Sequence, residues 1–438
     1  MSGPAKNKLG LWASTSLVIG NMIGAGVFLM PATLAGFGGI SLFGWLFSAI
    51  GAFFLARVFS NLSKLMPGMS GGPYAYTHAG FGDFAGFIIA WGYWISVWCT
   101  NATLAVSFTG GLSTFFKSLQ QNPLLEIITG LGAIWLLTWV NTLGIKATGN
   151  MQLVTTILKL MPLLFVAIAG IFFIKAGNFT PFNISGTSNM QAITASSTLT
   201  LFAFLGIECA TIPAGNVINP EKTIPRATTI GTLITTTVYI LVTVVVMGMI
   251  PAAQLQNSAT PLADAAMIIG GEKARYLVGA GVALAAFGAL NGWILVQGQI
   301  PAAVAKDKLF PGIFSRENKV GVPATGIVIG SILASVLMYM NYNQALVKQY
   351  AFLSLMSTLT CLVPYLFCAA AYAIIAIAKK QLPVNKWPGA IMLATASFAF
   401  SIWAIIGSTA NIVYWGFILL MGGVPFYVWI IYKKESDH

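Results

Sequence analysis

Two ionisable side chains stand where charge is most costly. Glu208, in Phe204-Leu205-Gly206-Ile207-Glu208-Cys209, and Lys159, in Thr156-Ile157-Leu158-Lys159-Leu160-Met161-Pro162, each lie deep inside a long apolar stretch. At the centre of a membrane-crossing helix each costs on the order of 2.5–3.5 kcal/mol. The remaining acidic residues fall in loops, chain ends or interfacial stretches. An ionisable group at that depth serves substrate binding or proton transfer. The alternatives are a buried structural ion pair, or a protonated Glu208 hydrogen-bonded to opened backbone. Burial disfavours the charged form, so either residue can change protonation as a cavity opens to water.

Gly206, two residues before Glu208, interrupts a helix at the same depth,. An earlier stretch does so more strongly. Gly20-Asn21-Met22-Ile23-Gly24-Ala25-Gly26-Val27-Phe28 carries three glycines within seven positions of an apolar segment. Backbone opens at membrane depth only where protein or a water-filled cavity satisfies the freed groups. Interrupted helices of this kind hold the substrates of secondary transporters. Gly20-x-x-x-Gly24 is also a small-residue packing face, so this stretch alone leaves both readings open,. Freed N–H groups suit a carboxylate and freed carbonyls suit an ammonium, so a zwitterionic amino acid fits two opened helices. Phe202 and Trp293 can cover such a ligand and attract a cationic side chain, or can be ordinary packing aromatics,. Asn101 shares a helical face with Tyr93 and Val97 and sits too deep for an interfacial belt,.

The elements that position these groups follow from composition. The chain has 438 residues, 57% hydrophobic and 7% charged, with a mean hydropathy of +0.83. Soluble proteins carry roughly 25% charged residues, so this is an integral membrane protein. Twelve apolar segments fall near 11–35, 40–63, 84–115, 123–144, 148–174, 190–215, 226–250, 276–304, 322–342, 350–378, 387–408 and 411–432. Alternating strands of barrel type are absent, and short connections make residues 1–438 one transmembrane domain,. The first segment is too long for a signal-peptide core, so no cleavage is expected. Pro67 to Tyr76 reads as turns or a re-entrant excursion, and Asn219 to Arg226 as a proline-broken turn,.

The net charge of +12 is a topology signal rather than a nucleic-acid footprint. With both termini cytoplasmic, Lys and Arg favour the inner connections by about three to one,. Their surplus also draws the protein to anionic inner-leaflet lipid. The four cysteines fall within apolar segments without metal-ligand spacing, and only His78 and His438 are histidines. Neither a metal nor another cofactor is expected, and with no nucleophile–base set the chain reads as a non-enzyme. Segments 11–174 and 190–378 match as two five-span halves, each opening on an interrupted helix. Five is odd, so the second copy enters from the opposite face, and 387–432 is left over.

Gly24-Ala25-Gly26-Val27-Phe28, Phe204-Leu205-Gly206-Ile207-Glu208 and Asn219-Pro220-Glu221-Lys222 resemble the amino acid–polyamine–organocation (APC) superfamily. The resemblance covers essentially the whole chain and is greatest to bacterial basic amino acid/polyamine antiporters of the arginine/agmatine type. It implies an all-α, twelve-span, LeuT-type five-plus-five inverted repeat with helices one and six broken, working by alternating access. It further implies that the substrate carboxylate meets backbone from Ile23 through Gly24 and Ala25 to Gly26. The ammonium would meet Ile23 and carbonyls from Phe202 and Ala203 to Leu205. By the same resemblance Asn101, Trp293 and Ser357 are side-chain contacts, and Tyr93, Phe202 and Trp293 act as gates. Glu208 matches a proton-sensitive acid. Ala25 and Phe202 depart from the arginine exchanger, which has Ser and Trp there. Lys159 is similar to the fifth-span lysine of proton-coupled and heteromeric-type transporters, whose ammonium takes a sodium ion's place.

The expected function is an inner-membrane antiporter of cationic amino acids or their decarboxylated amines, with Glu208 and Lys159 coupling protons. Its partners are then that small molecule, protons, the lipid bilayer and, as a candidate assembly, a second copy of the chain. A proton-coupled symporter of neutral amino acids is the alternative, with Lys159 as proton carrier. An ion channel is the alternative from another class, though no charged ring or filter motif is present.

Overall fold

Glycine decides where the first helix stops. The computed structural model describes residues 9–24, 27–69, 71–143, 148–212, 214–340 and 344–436, and of 148–155, 216, 435 and 436 the backbone alone. Helix α1 (Leu11–Met22) ends at Ile23, whose ψ of 77° is not helical. The Gly24 N–H then turns to Met22 O at 2.8 Å, leaving Gly20 O outside the helical ladder. The next α-helix is α2 (Met30–Ala35), with Pro31 in its first turn, where a missing N–H does no harm,. Ala25 and Gly26 lie outside the described residues.

Among the described residues the remaining regular structure is helical apart from one isolated bridge between Leu9 and Val217. Next come α3 (Ser41–Leu65), α4 (Pro73–Phe81), α5 (Asp83–Leu112), α6 (Pro123–Thr142) and α7 (Thr148–Ala169). Helix α8 (Asn189–Leu201) opens on a capping box between Ser188 and Gln191,. It gives way to a 3₁₀ turn at Phe202–Phe204 and then to extended backbone at Leu205. Gly206 follows with φ +109°, a conformation that side chains rarely adopt,. The second half continues with α9 (Pro220–Met249), α10 (Pro261–Lys306), α11 (Ala324–Met340) and α12 (Leu346–Ile377). Then come α13 (Trp387–Ile406), α14 (Ala410–Met421) and α15 (Gly423–Ser436). Among the described residues nine helical stretches are long and apolar enough to cross a membrane.

Helix α5 lies at the centre, buried along most of its length and packed on α4, α10 and α12. Its Ser, Thr, Asn and Gly content suits contact with other helices rather than with lipid. Helices α13 to α15 lie outermost and expose large apolar side chains such as Ile406, Phe417 and Trp429.

Several boundaries differ from the sequence expectation. The stretch expected as turns or a re-entrant excursion runs into α4, whose Tyr74 to Thr77 are buried. Helix α9 starts at Pro220, not 226, because left-handed Asn219 precedes it and proline is well suited to a first turn,. Helix α10 begins at Pro261 and bends at Gly270–Gly271, so it reaches well before 276. The last apolar segment divides at Gly422 into α14 and α15.

Candidate functional site

The C-terminal end of α1 presents carbonyls that no helix satisfies, and three other helices supply donors to them. Lys159 Nζ on α7 donates to Gly20 O at 3.0 Å, and Trp293 Nε1 on α10 to Asn21 O at 3.3 Å. The Tyr239 hydroxyl on α9 donates to Met22 O. Orphan carbonyls at a helix end need such partners when buried, and the negative end of the helix dipole favours a cation. An ammonium, an indole and a phenol therefore hold the first break open.

The second break lies directly against it. A Cβ built on Gly206 would stand 3.2 Å from Asn21 C and Met22 N. Between the breaks lies a small cavity lined by Asn21, Met22, Gly24, Thr100, Leu104, Phe202, Leu205 and Trp293. Phe202 meets Tyr350 edge-on, with ring centroids 5.9 Å apart. Residues from the end of α1 and from the turn after α8 thus border a space whose wall includes the rings of Phe202 and Trp293.

Glu208 is fully buried, yet it does not line that cavity. Its carboxylate accepts from Tyr93 OH on α5, from Tyr365 OH on α12 and from Gly206 N–H at 3.2 Å. One acidic group thereby ties two helices to the second break. Neither Glu208 nor Lys159 belongs to an ion pair among the described residues, so the structural pair envisaged from the sequence is not formed. Glu208→Gln retains the shape but cannot change charge. The variant should flatten the pH dependence of activity while the protein stays folded. A profile identical to wild type would remove any proton role for Glu208.

The other sequence-derived residues divide. Gly24, Phe202, Leu205 and Trp293 line the cavity. Ile23 and Ala203 are buried beside it without lining it. Ser357 Oγ lies 2.6 Å from Thr100 Oγ1, which does line it, so the serine stands one residue behind the wall. Asn101 Nδ2 donates to Gln297 Oε1 at 2.7 Å, and Gln297 in turn binds Ile327 O and Ser331 Oγ. The Asn101 Oδ1 has no hydrogen-bond partner among the described residues. Sequence reasoning missed Asn21, Met22, Thr100 and Leu104 as wall residues, and Tyr239 and Tyr365 as partners. A carboxylate this deep needs donors, so hydroxyl-bearing rings in other apolar segments were the available signal.

Comparison with known proteins places the chain among transporters. The family model described as amino acid permease matches residues 9–432. The chain is 35% identical to the cadaverine/lysine antiporter of Escherichia coli (strain K12), over 76% of this chain and 74% of that protein. It is 31% identical to the arginine/ornithine antiporter of Pseudomonas aeruginosa, over 92% of this chain and 87% of that one. The putrescine transporter PotE of Haemophilus influenzae is 29% identical over 98% of both.

Proposed function

The chain belongs to the amino acid permease family, and from that premise we propose that it is an antiporter of cationic amino acids or their decarboxylated amines. One observation carries the reading. Two helices lose their ladders side by side, and between the breaks lies a cavity whose wall includes Gly24, Leu205 and the rings of Phe202 and Trp293. Carbonyls at the end of α1 suit an ammonium, and the rings suit a cationic side chain. The cavity is too small for an amino acid as it stands, so the two breaks must part to admit one,.

Twelve crossings follow if α1 with α2, and α8 with the turns after it, each make one broken crossing. The two halves are then 11–174 and 190–378, related by inversion, with 387–432 outside the repeat. Both termini face the cytoplasm of an inner-membrane protein, supported by the roughly three-to-one bias of Lys and Arg,. Asn101 and Ser357 act from behind the wall, Tyr93 and Glu208 as a gate with Tyr365, and Ala25 and Gly26 as further main-chain contacts. A homodimer is the candidate assembly.

Counterflow in proteoliposomes tests this. Labelled lysine should enter only when unlabelled lysine, arginine, cadaverine or another substrate waits inside, without a pH gradient. A competition panel of the twenty amino acids and their amines then ranks the cargo. The Lys159 contact with Gly20 O favours a second reading, proton-coupled import of neutral amino acids. Uptake that needs inward protons and no internal substrate would select it.

A further inference from the structure

A one-way chain of hydrogen bonds starts at Asn101 on α5 and crosses three further helices. Asn101 Nδ2 donates to Gln297 Oε1 on α10 at 2.7 Å. The Gln297 amide nitrogen donates to α11 twice, to Ile327 O at 2.8 Å and to Ser331 Oγ at 2.7 Å. Ser331 Oγ lies 2.6 Å from Thr138 Oγ1 on α6, and the Thr138 proton goes to Ile134 O at 2.7 Å. The serine is therefore the donor of that hydroxyl pair. Asn101, Gln297 and Ser331 are 0% exposed and Thr138 is 3% exposed, so water does not compete along the chain.

The direction of the chain is set at its far end. Main-chain carbonyls only accept, and the donors stop on two of them, Ile327 O and Ile134 O,. Gln297 must turn its nitrogen to α11, which leaves its oxygen for Asn101. If the Asn101 amide were turned over, two carbonyl oxygens would face each other across 2.7 Å. Gly330 makes room for this arrangement, since a Cβ built there would stand 2.7 Å from Gln297 Cδ and 2.8 Å from its Oε1.

At the near end the chain leaves an acceptor. Asn101 Oδ1 is buried and has no hydrogen-bond partner among the described residues. A buried acceptor without a donor is costly, so this oxygen awaits one. Asn101 follows Thr100 and precedes Leu104 by three residues, and both of those line the cavity. Gln297 stands one turn beyond Trp293, another wall residue. No wall residue is acidic, so a cationic side chain must be met there by neutral acceptors.

We propose that Gln297 is a specificity-determining residue for the side-chain end of the cargo. By holding the Asn101 amide one way round, it presents an oxygen to the cargo, which favours side chains ending in N–H donors over those without them. Gln297 itself touches no cargo and acts through Asn101, as a positioning residue. The inference rests on the cationic-substrate reading above.

The test reads selectivity rather than rate. Competition against labelled lysine in proteoliposomes gives the preference for lysine over norleucine, which lacks the side-chain ammonium, and for cadaverine over pentylamine. Gln297→Met keeps the length and removes both ends of the amide, which frees Asn101 to turn. Both preferences should fall about tenfold, as loss of one hydrogen bond to a charged group implies. In an Asn101→Leu background the same substitution should change neither preference further. Gly330→Ala crowds the Gln297 amide from the α11 side and should lower both preferences in the same direction, whether or not Gln297→Met folds. Ser331→Ala cuts the link to Thr138 but leaves Ile327 O to orient Gln297, so its preferences should stay at wild-type values. Unchanged preferences in folded Gln297→Met or Gly330→Ala protein would overturn the proposal. So would a fall that persists in the Asn101→Leu background, or an equal fall in Ser331→Ala. Wild-type protein that takes norleucine as readily as lysine would instead overturn the reading beneath it.

Discussion

Replacing Gly206 with alanine should lower exchange at least about thirtyfold, because the substitution strains the main chain and also parts the two breaks. The residue holds φ +109°, where a side chain is strained whatever space surrounds it. The added methyl group would also stand 3.2–3.3 Å from the main chain and Cβ of Asn21 and from Met22 N. Strain of this kind costs about 1–3 kcal/mol, and its relief here is to push α1 away from the turn after α8. The cavity wall moves with it. Gly68→Ala is the matched control, since Gly68 has φ +77° with nothing within 4 Å of an added Cβ. That variant should lose some stability and keep its exchange rate. Exchange per folded molecule, measured beside melting temperature, separates the two effects. Wild-type exchange by the Gly206 variant would mean that close apposition of the breaks is not needed.

Lys159→Ala should reduce turnover about tenfold or more while KM stays within about threefold, because a charged hydrogen bond is worth about 1.5–3 kcal/mol. The ammonium contacts Gly20 O, which is not among the cavity-lining residues. Removing it therefore strips a brace from the end of α1 without removing a wall of the binding space. If α1 tilts during each cycle, the brace must form and break, and its loss appears in the rate. Initial-rate kinetics over a range of substrate concentrations give both parameters. Wild-type turnover would leave Lys159 as a packing residue alone.

How far the sequence carried depends on what each residue type reveals by itself. Glycine reports backbone freedom directly, so the interruptions at Gly24 and Gly206 were legible, as was the depth of Glu208 and Lys159. The helical, many-spanned character followed from composition. Partnerships were harder. Tyr365 lies 157 residues from Glu208 and Tyr239 lies 217 from Met22, and no spacing rule joins them. Asn101 was recognised as needing a partner, but Gln297, 196 positions away, takes its amide. Proline misled twice. Pro73 and Pro220 signalled turns, yet each stands in the first turn of a helix, where a missing N–H is harmless,.

Recognition by carbonyls and amides has an evolutionary corollary. On the reading proposed above, the ammonium end of a solute is held by peptide groups that nearly every residue type carries, so side-chain replacement away from the strained Gly206 leaves that grip in place. The replaceable parts are Thr100, Leu104, Phe202, Leu205 and Trp293, which line the cavity. Descendants of one ancestral scaffold can thus diverge from lysine to arginine to a bare diamine by exchanging a handful of wall residues, with the handle left intact.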